Sequence, residues 1–166
     1  MKKTIIVLVL ALTTTFWVGA QSKSDKMYDA FSGKEGVSNF SFSKSMIDAI
    51  DLDFGDDDEK KVTGDLHQIS FMSYNPEKGE LSGPDFIKKA IGMLPAQYKK
   101  YEDMDDDDSD AEIWLLGKKK KFRECHVFIK NEEADQMRFV VSFYGEFNVN
   151  DLDNLKKQGE VFSKKD

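Results

Sequence analysis

The sequence predicts an α+β fold: a single domain in which a mainly antiparallel sheet carries about three to four helices. Three observations predict it. Segments rich in phenylalanine, valine and isoleucine crowd the second half and are separated by short polar turns, the pattern of successive antiparallel strands. Stretches with apolar residues at helical spacing stand near the start, middle and end. No internal repeat or break in composition divides a chain of 166 residues, which is the usual length of one domain plus a leader.

The leader comes first. Met1-Lys2-Lys3 is a positive start, Ile5 to Leu12 is an unbroken apolar run, and Val18-Gly19-Ala20 places short residues where a signal peptidase reads them. Residues 1–20 therefore read as a secretory signal peptide cleaved between Ala20 and Gln21, leaving 21–166 as the domain. The apolar stretch from Ile5 to Ala20 is interrupted by Thr13, Thr14 and Thr15. It also falls short of the roughly 18–20 residues that cross a bilayer. A lipid anchor would need a cysteine near the cleavage site, and the sole cysteine is Cys125. The expectation is a soluble periplasmic or secreted protein with no stable membrane insertion after cleavage.

Within the domain, Lys23 to Phe31 has helical spacing and Ser32-Gly33-Lys34-Glu35-Gly36 ends it. Val37 to Phe42 alternates with period two, as a strand does, and a short helix follows from Ser43, with Met46, Ile47 and Ile50 recurring at helical spacing. Asp51 to Lys61 is an acidic loop. Leu66 to Tyr74 reads as a strand and Asn75 to Gly79 as a turn. Ser82-Gly83-Pro84-Asp85 opens the clearest helix. Proline costs nothing in a first turn, an acid suits the positive end of the dipole, and Phe86, Ile87, Ala90, Ile91 and Leu94 form one stripe before Pro95. Strands are then expected over Tyr98 to Met104, Ala111 to Gly117, Phe122 to Lys130 and Met137 to Phe147. A last helix is capped by Asn148 or Asn150 and carries Leu152, Leu155 and Phe162.

Charge narrows the function classes. The formal charge is −7, and losing Lys2 and Lys3 with the leader makes it two units more negative. That balance favours solubility and argues against binding nucleic acid or anionic lipid over a broad surface. One cysteine cannot form an internal disulfide. No nucleophile elbow, phosphate loop, zinc-protease motif or dinucleotide fingerprint is present, and no cofactor is expected.

The remaining candidate features are weak. An EF-hand starting at Asp51 would need glycine sixth and glutamate twelfth, where Asp56 and Val62 stand; Asp105 to Asp110 fails in the same way. Lys118 to Lys121 reads as an exposed hairpin tip. Ser41-Phe42-Ser43-Lys44 has the serine–x–x–lysine spacing of penicillin-recognising enzymes without their other motifs. It supports only an alternative reading, a small envelope hydrolase joining Ser41, Lys44 and His67 or His126. Cys125 and His126 are neighbours on a strand, so they point to opposite faces. Several strands are apolar on both sides, with Phe122, His126 and Phe128 opposing Cys125, Val127 and Ile129. One side meets helices. The other is either covered too or is an interaction surface, with Phe122, His126 and Phe128 as its candidate residues and an envelope protein or small apolar ligand as its partner. The oligomeric state is left open.

Val37-Ser38-Asn39-Phe40-Ser41-Phe42-Ser43-Lys44-Ser45-Met46, following the break at Gly36, resembles the opening of the exported bacterial family catalogued as domain of unknown function 4252. Ser43, Lys44 and Met46 match the family's opening motif. Phe139 to Leu155, with Tyr144-Gly145-Glu146-Phe147 before a leucine-bearing helix, is similar to its closing segment. Some members look like lipoproteins, and this sequence departs from them in lacking the anchoring cysteine. Members occur beside genes for envelope-stress sigma factors and their antagonists. The resemblance therefore implies a non-enzymatic accessory role in the envelope and carries no catalytic residue with it.

Overall fold

In a computed structural model, residues 24–50, 65–101, 111–118, 121–130 and 136–148 are described. The leader with its cleavage position at Ala20 and Gln21, both acidic loops and the expected last helix lie outside them. Chain order is α1 (Asp25–Phe31), β1 (Val37–Ser43), α2 (Lys44–Ile50), β2 (Asp65–Tyr74), α3 (Gly83–Gly92), β3 (Lys99–Lys100), β4 (Ala111–Lys118), β5 (Lys121–Ile129) and β6 (Arg138–Asn148). Six strands form one sheet in the order β1-β2-β6-β5-β4-β3, every neighbouring pair antiparallel. The α+β class and the antiparallel sheet follow the sequence reading. Of the strand expected over Tyr98 to Met104, Lys99 and Lys100 pair with β4 and the Tyr101 N–H donates to the Ile113 carbonyl at 2.9 Å, while residues 102–104 lie outside the described residues.

Local chemistry sets the turns. Gly36 takes a positive φ of 77°, and a Cβ there would lie 2.6 Å from the Asn75 carbonyl oxygen. Only glycine suits both demands. In α3, the Ser82 hydroxyl accepts from the Asp85 N–H and donates to its carboxylate, and Pro84 sits in the first turn. Such a cap contributes about 1 kcal/mol.

Both sheet faces are buried. On one, which we call the His126 face, Met27 and Phe31 of α1 and Phe86, Ile87 and Ala90 of α3 pack on Met72, Tyr74, Phe128 and Val140. Phe86 stacks on Tyr74 at 4.4 Å between centroids and meets Phe31 at 4.8 Å, so one ring joins sheet, α1 and α3. The opposite Cys125 face gathers Ile69, Phe71, Ile113, Leu115, Cys125, Val127, Ile129, Val141, Phe143 and Phe147, with Phe42 and Ile47 packed against them. Cys125 is fully buried among apolar side chains, which raises its thiol well above the usual range. It is a small core residue.

Candidate functional site

The sheet changes character towards one end. Pairing is interrupted at three places: His67 is skipped between Leu66 and Gln68 against β6, Arg123 between Phe122 and Glu124 against β4, and Gly145-Glu146 together oppose Arg123 across β5–β6. These β-bulges lie side by side on β2, β5 and β6. Gly145 makes the alignment workable, because a Cβ there would lie 2.3 Å from the Asp65 carbonyl oxygen. Since a bulge shifts the alternation by one, it moves the following side chain to the other face. Phe122 consequently joins the Cys125 face, opposite Phe147 with ring centroids 6.2 Å apart.

That corrects the expected surface of Phe122, His126 and Phe128. His126 and Phe128 are fully buried on the face under α1 and α3, while half-buried Phe122 belongs to the other face. A simple period-two reading put the three together, and the bulge at Arg123 separates them. The broad apolar sheet surface does not exist in this form, because folding buries both faces.

Beyond the bulges the strand ends enclose an open concavity of about 910 Å³. Leu116, Phe122 and Phe147 supply its apolar lining, and Lys99, Lys118, Lys121 and Arg123 are its cations, with Asp65 and Glu146 also present. All four cations are exposed, and none makes an ion pair among the described residues. Lys118 stands directly opposite Lys121 at the mouth of the β4–β5 hairpin. Like charges across a strand pair are destabilising, so this placement does not serve the fold. The cations thus stand beside aromatic rings, a locally basic and apolar patch on a chain of net charge −7.

A second polar feature crosses the His126 face. Ser41, Ser70, Ser142, His126 and Trp114 are cross-strand partners in one row over five strands. Ser41 Oγ lies 2.9 Å from Ser70 Oγ, and Ser142 Oγ lies 2.6 Å from His126 Nδ1. Tyr28 of α1 bridges the middle, its hydroxyl 2.7 Å from Ser142 Oγ and 3.1 Å from the Ser70 carbonyl oxygen. Because Tyr28 donates to Ser142, the serine proton is directed to His126 Nδ1. The imidazole is then the Nε2–H tautomer, facing Glu124 Oε2 at 3.8 Å without a hydrogen bond. Glu124 also accepts from Tyr98 and from Ser24, and Ser24 meets the Tyr144 hydroxyl at 3.0 Å.

Burial governs the titration of this network. It lowers His126 below the ordinary histidine range against the pull of Glu124. It raises Tyr28 well above the usual phenol, with Tyr144 adding to the effect and the Ser142 bond opposing it. Tyr144 is pushed up to about 12, again chiefly by burial. Burial thus favours the neutral forms of Tyr28, Tyr144 and His126.

Serine, histidine and glutamate in sequence resemble an acyl-transfer triad, but access is missing. Ser142 and His126 are both 0% exposed, and Tyr28 already occupies the serine oxygen. A nucleophile must reach its substrate. The other hydrolase candidates do not converge. Lys44 Nζ pairs with Asp65 at 2.8 Å on the surface, His67 is exposed in its bulge, and Ser41 lies three strands from His126, about 14 Å at ordinary strand spacing. Among the described residues no group of three metal-ligating side chains is present, and no helix is long and apolar enough to cross a membrane.

Sequence reasoning missed the ladder and the cation cluster. Ser70 and Ser142 inside apolar strands were its visible sign: a small polar side chain among core residues needs a buried partner. Lys118 and Lys121 were visible as a hairpin tip, but only the pairing order of β3, β4 and β5 brings Lys99 to them.

Fold and concavity together define an α+β protein built on an open antiparallel sheet, with an amphipathic depression at the bulged end of its strands. The family model described as Domain of unknown function (DUF4252) matches residues 28–155, well over half of the chain, and the chain belongs to that family. No curated protein and no solved structure matches it.

Proposed function

We propose that this chain is an exported, non-enzymatic binding protein of the bacterial envelope, periplasmic or secreted, whose concavity takes a small amphiphilic anion such as a fatty-acid carboxylate. The leader supports export, and membership of the family supports the accessory role that its resemblance implies. The ligand class rests on one observation: four cations with no ion pair among the described residues ring an apolar depression on an acidic protein. Phe122, Phe147 and Leu116 bury the tail, and Lys99, Lys118, Lys121 and Arg123 hold the head group. The ladder is a structural network in this reading, and it lies closed beneath α1.

Myristate titrated into the purified protein by calorimetry tests the proposal. Binding is expected, with tetradecanol weaker because it lacks the charge. The double variant Lys121→Glu, Arg123→Glu is expected to lose at least about tenfold in affinity, since each reversed contact with a desolvated head group contributes on the order of 1 kcal/mol. Absence of any heat with myristate, or equal affinity for the alcohol and the acid, defeats the ligand class.

A further inference from the structure

The two edges of the sheet are treated differently. At one, β3 has two residues, Lys99 and Lys100, and both are charged. Shortness and lysine are the usual means of stopping an edge from recruiting another strand. At the other, β1 has seven residues, Val37–Ser43, with no charge and no proline. Its register runs unbroken from Val37 opposite Tyr74 to Ser43 opposite Gln68, so no bulge protects it either. Ser38, Asn39, Phe40 and Ser41 are exposed. Phe40 at 52% and Met46 at 45% are the exposed large hydrophobic residues among those described, and both belong to the β1–α2 segment.

We infer that β1 is a pairing strand for a second copy of this chain, joined antiparallel about a two-fold axis at Phe40. The hydrogen-bond phase carries the inference. The Asn75 N–H donates to the Gly36 carbonyl at 2.8 Å, which marks these two as a hydrogen-bonded pair. Alternation then turns the N–H and C=O groups of Ser38, Phe40 and Phe42 towards β2, and those of Val37, Asn39, Ser41 and Ser43 away from it. Val37 agrees, since its N–H bonds back to the Lys34 carbonyl in the turn. Asn39 and Ser41 keep outward-facing groups that β2 cannot use.

A two-fold at Phe40 sets Asn39 of one copy against Ser41 of the other, so these outward groups exchange both bonds on each side of the axis. The two Phe40 residues then form a non-hydrogen-bonded pair, the arrangement with the closest side chains, about 4.5 Å between Cα atoms. Phe40 already stacks on Phe71 at 4.7 Å with an interplanar angle of 11°. The dimer would extend this into a row of four rings while opposing Asn39 to Ser41 on the other face. A charged partner peptide is not what a neutral strand selects. The self-complementary register favours an identical strand, and the inference does not rest on the fatty-acid reading.

Seven residues give a small contact, so the dimer is weak, on the order of tens of micromolar. Because the chains are acidic, it tightens as salt rises from about 0.05 to 0.5 M, whereas a basic peptide partner would bind less well. Sedimentation of the purified full protein reads this directly. The average mass should climb towards twice the monomer with concentration. Phe40→Lys and Asn39→Pro should both hold it at the monomer value. Proline at 39 removes only an outward N–H, so the pairing with β2 and the circular dichroism spectrum are retained. Oxidised Phe40→Cys should cross-link copies, and Ser38→Cys should not, because its two copies stand four residues apart along the strands, about 13 Å. A wild-type protein that stays monomeric throughout, a dimer that survives in both folded variants, or cross-linking at 38 in preference to 40 overturns the inference.

Discussion

Removing the Tyr28 hydroxyl should release α1 from the sheet by a measurable amount. Tyr28→Phe keeps the ring that packs beside Met27 and Phe31 and deletes only the donor shared by Ser142 Oγ at 2.7 Å and the Ser70 carbonyl at 3.1 Å. A hydroxyl has one proton, so the shorter bond to Ser142 carries most of the loss. Ser142 retains His126 at 2.6 Å. The expected cost is therefore that of one neutral buried bond, about 1 kcal/mol. Ser142→Ala removes the centre of the chain and leaves His126 Nδ1 without its partner, which raises the cost to about 2 kcal/mol. The double variant should cost less than the two together, with a coupling of about 1 kcal/mol because the groups touch. Urea denaturation checks all three. At a slope of about 2 kcal/mol/M, Tyr28→Phe lowers the midpoint by about 0.5 M with the slope unchanged. A Tyr28→Phe midpoint equal to wild type, or strict additivity in the double variant, would refute the bridging role.

Acid should weaken the fold through His126. Burial lowers its folded pKa, so the unfolded chain takes up the proton first as pH falls through about 6.5, and stability declines from there towards the lower folded value by up to about 1.4 kcal/mol per pH unit. Urea midpoints at several pH values should show this slope in wild type and a flatter one in His126→Gln; equal slopes would assign the acid sensitivity to other groups. Two glycines of α3 should respond with opposite signs. A Cβ at Gly83 lies 2.6 Å from Nε of the fully buried Arg138, so Gly83→Ala should lose about 1–3 kcal/mol. Gly92 has nothing within 4 Å, so Gly92→Ala should gain about 0.5–1 kcal/mol from helix propensity, both read by thermal melting.

Local features were legible where the residues themselves impose them. Ser82, Pro84 and Asp85 specify the start of α3, and the alternation of Val37 to Phe42 specifies β1, because cap chemistry and period two act over a few residues. What joins distant parts was not legible. Nothing in the sequence of β6 says that it lies between β2 and β5; that placement closes contacts over long chain separations and is settled by packing. The bulge at Arg123 is a single-residue event, and it reverses the facing of Phe122 relative to His126 and Phe128. A reading by period alone therefore assembled an interaction surface from side chains that folding puts on opposite sides.

The same burial shows where recognition can occur. Aromatic residues on the strands look like a surplus when one face is assumed to suffice for the core. Here the Cys125 face and the His126 face both consume them, and the polar residues among them are tied together under α1. A sheet covered on both sides has only its perimeter left: the strand ends and the two edges. Of these, one edge carries Lys99 and Lys100, while the bulged end carries cations without an ion pair among the described residues around Phe122, and the β1 edge carries an exposed Phe40. The two proposals concern these separate places, so a monomer that binds myristate and a dimer that ignores it are both intelligible outcomes. Each would leave the other reading standing or fallen on its own measurement.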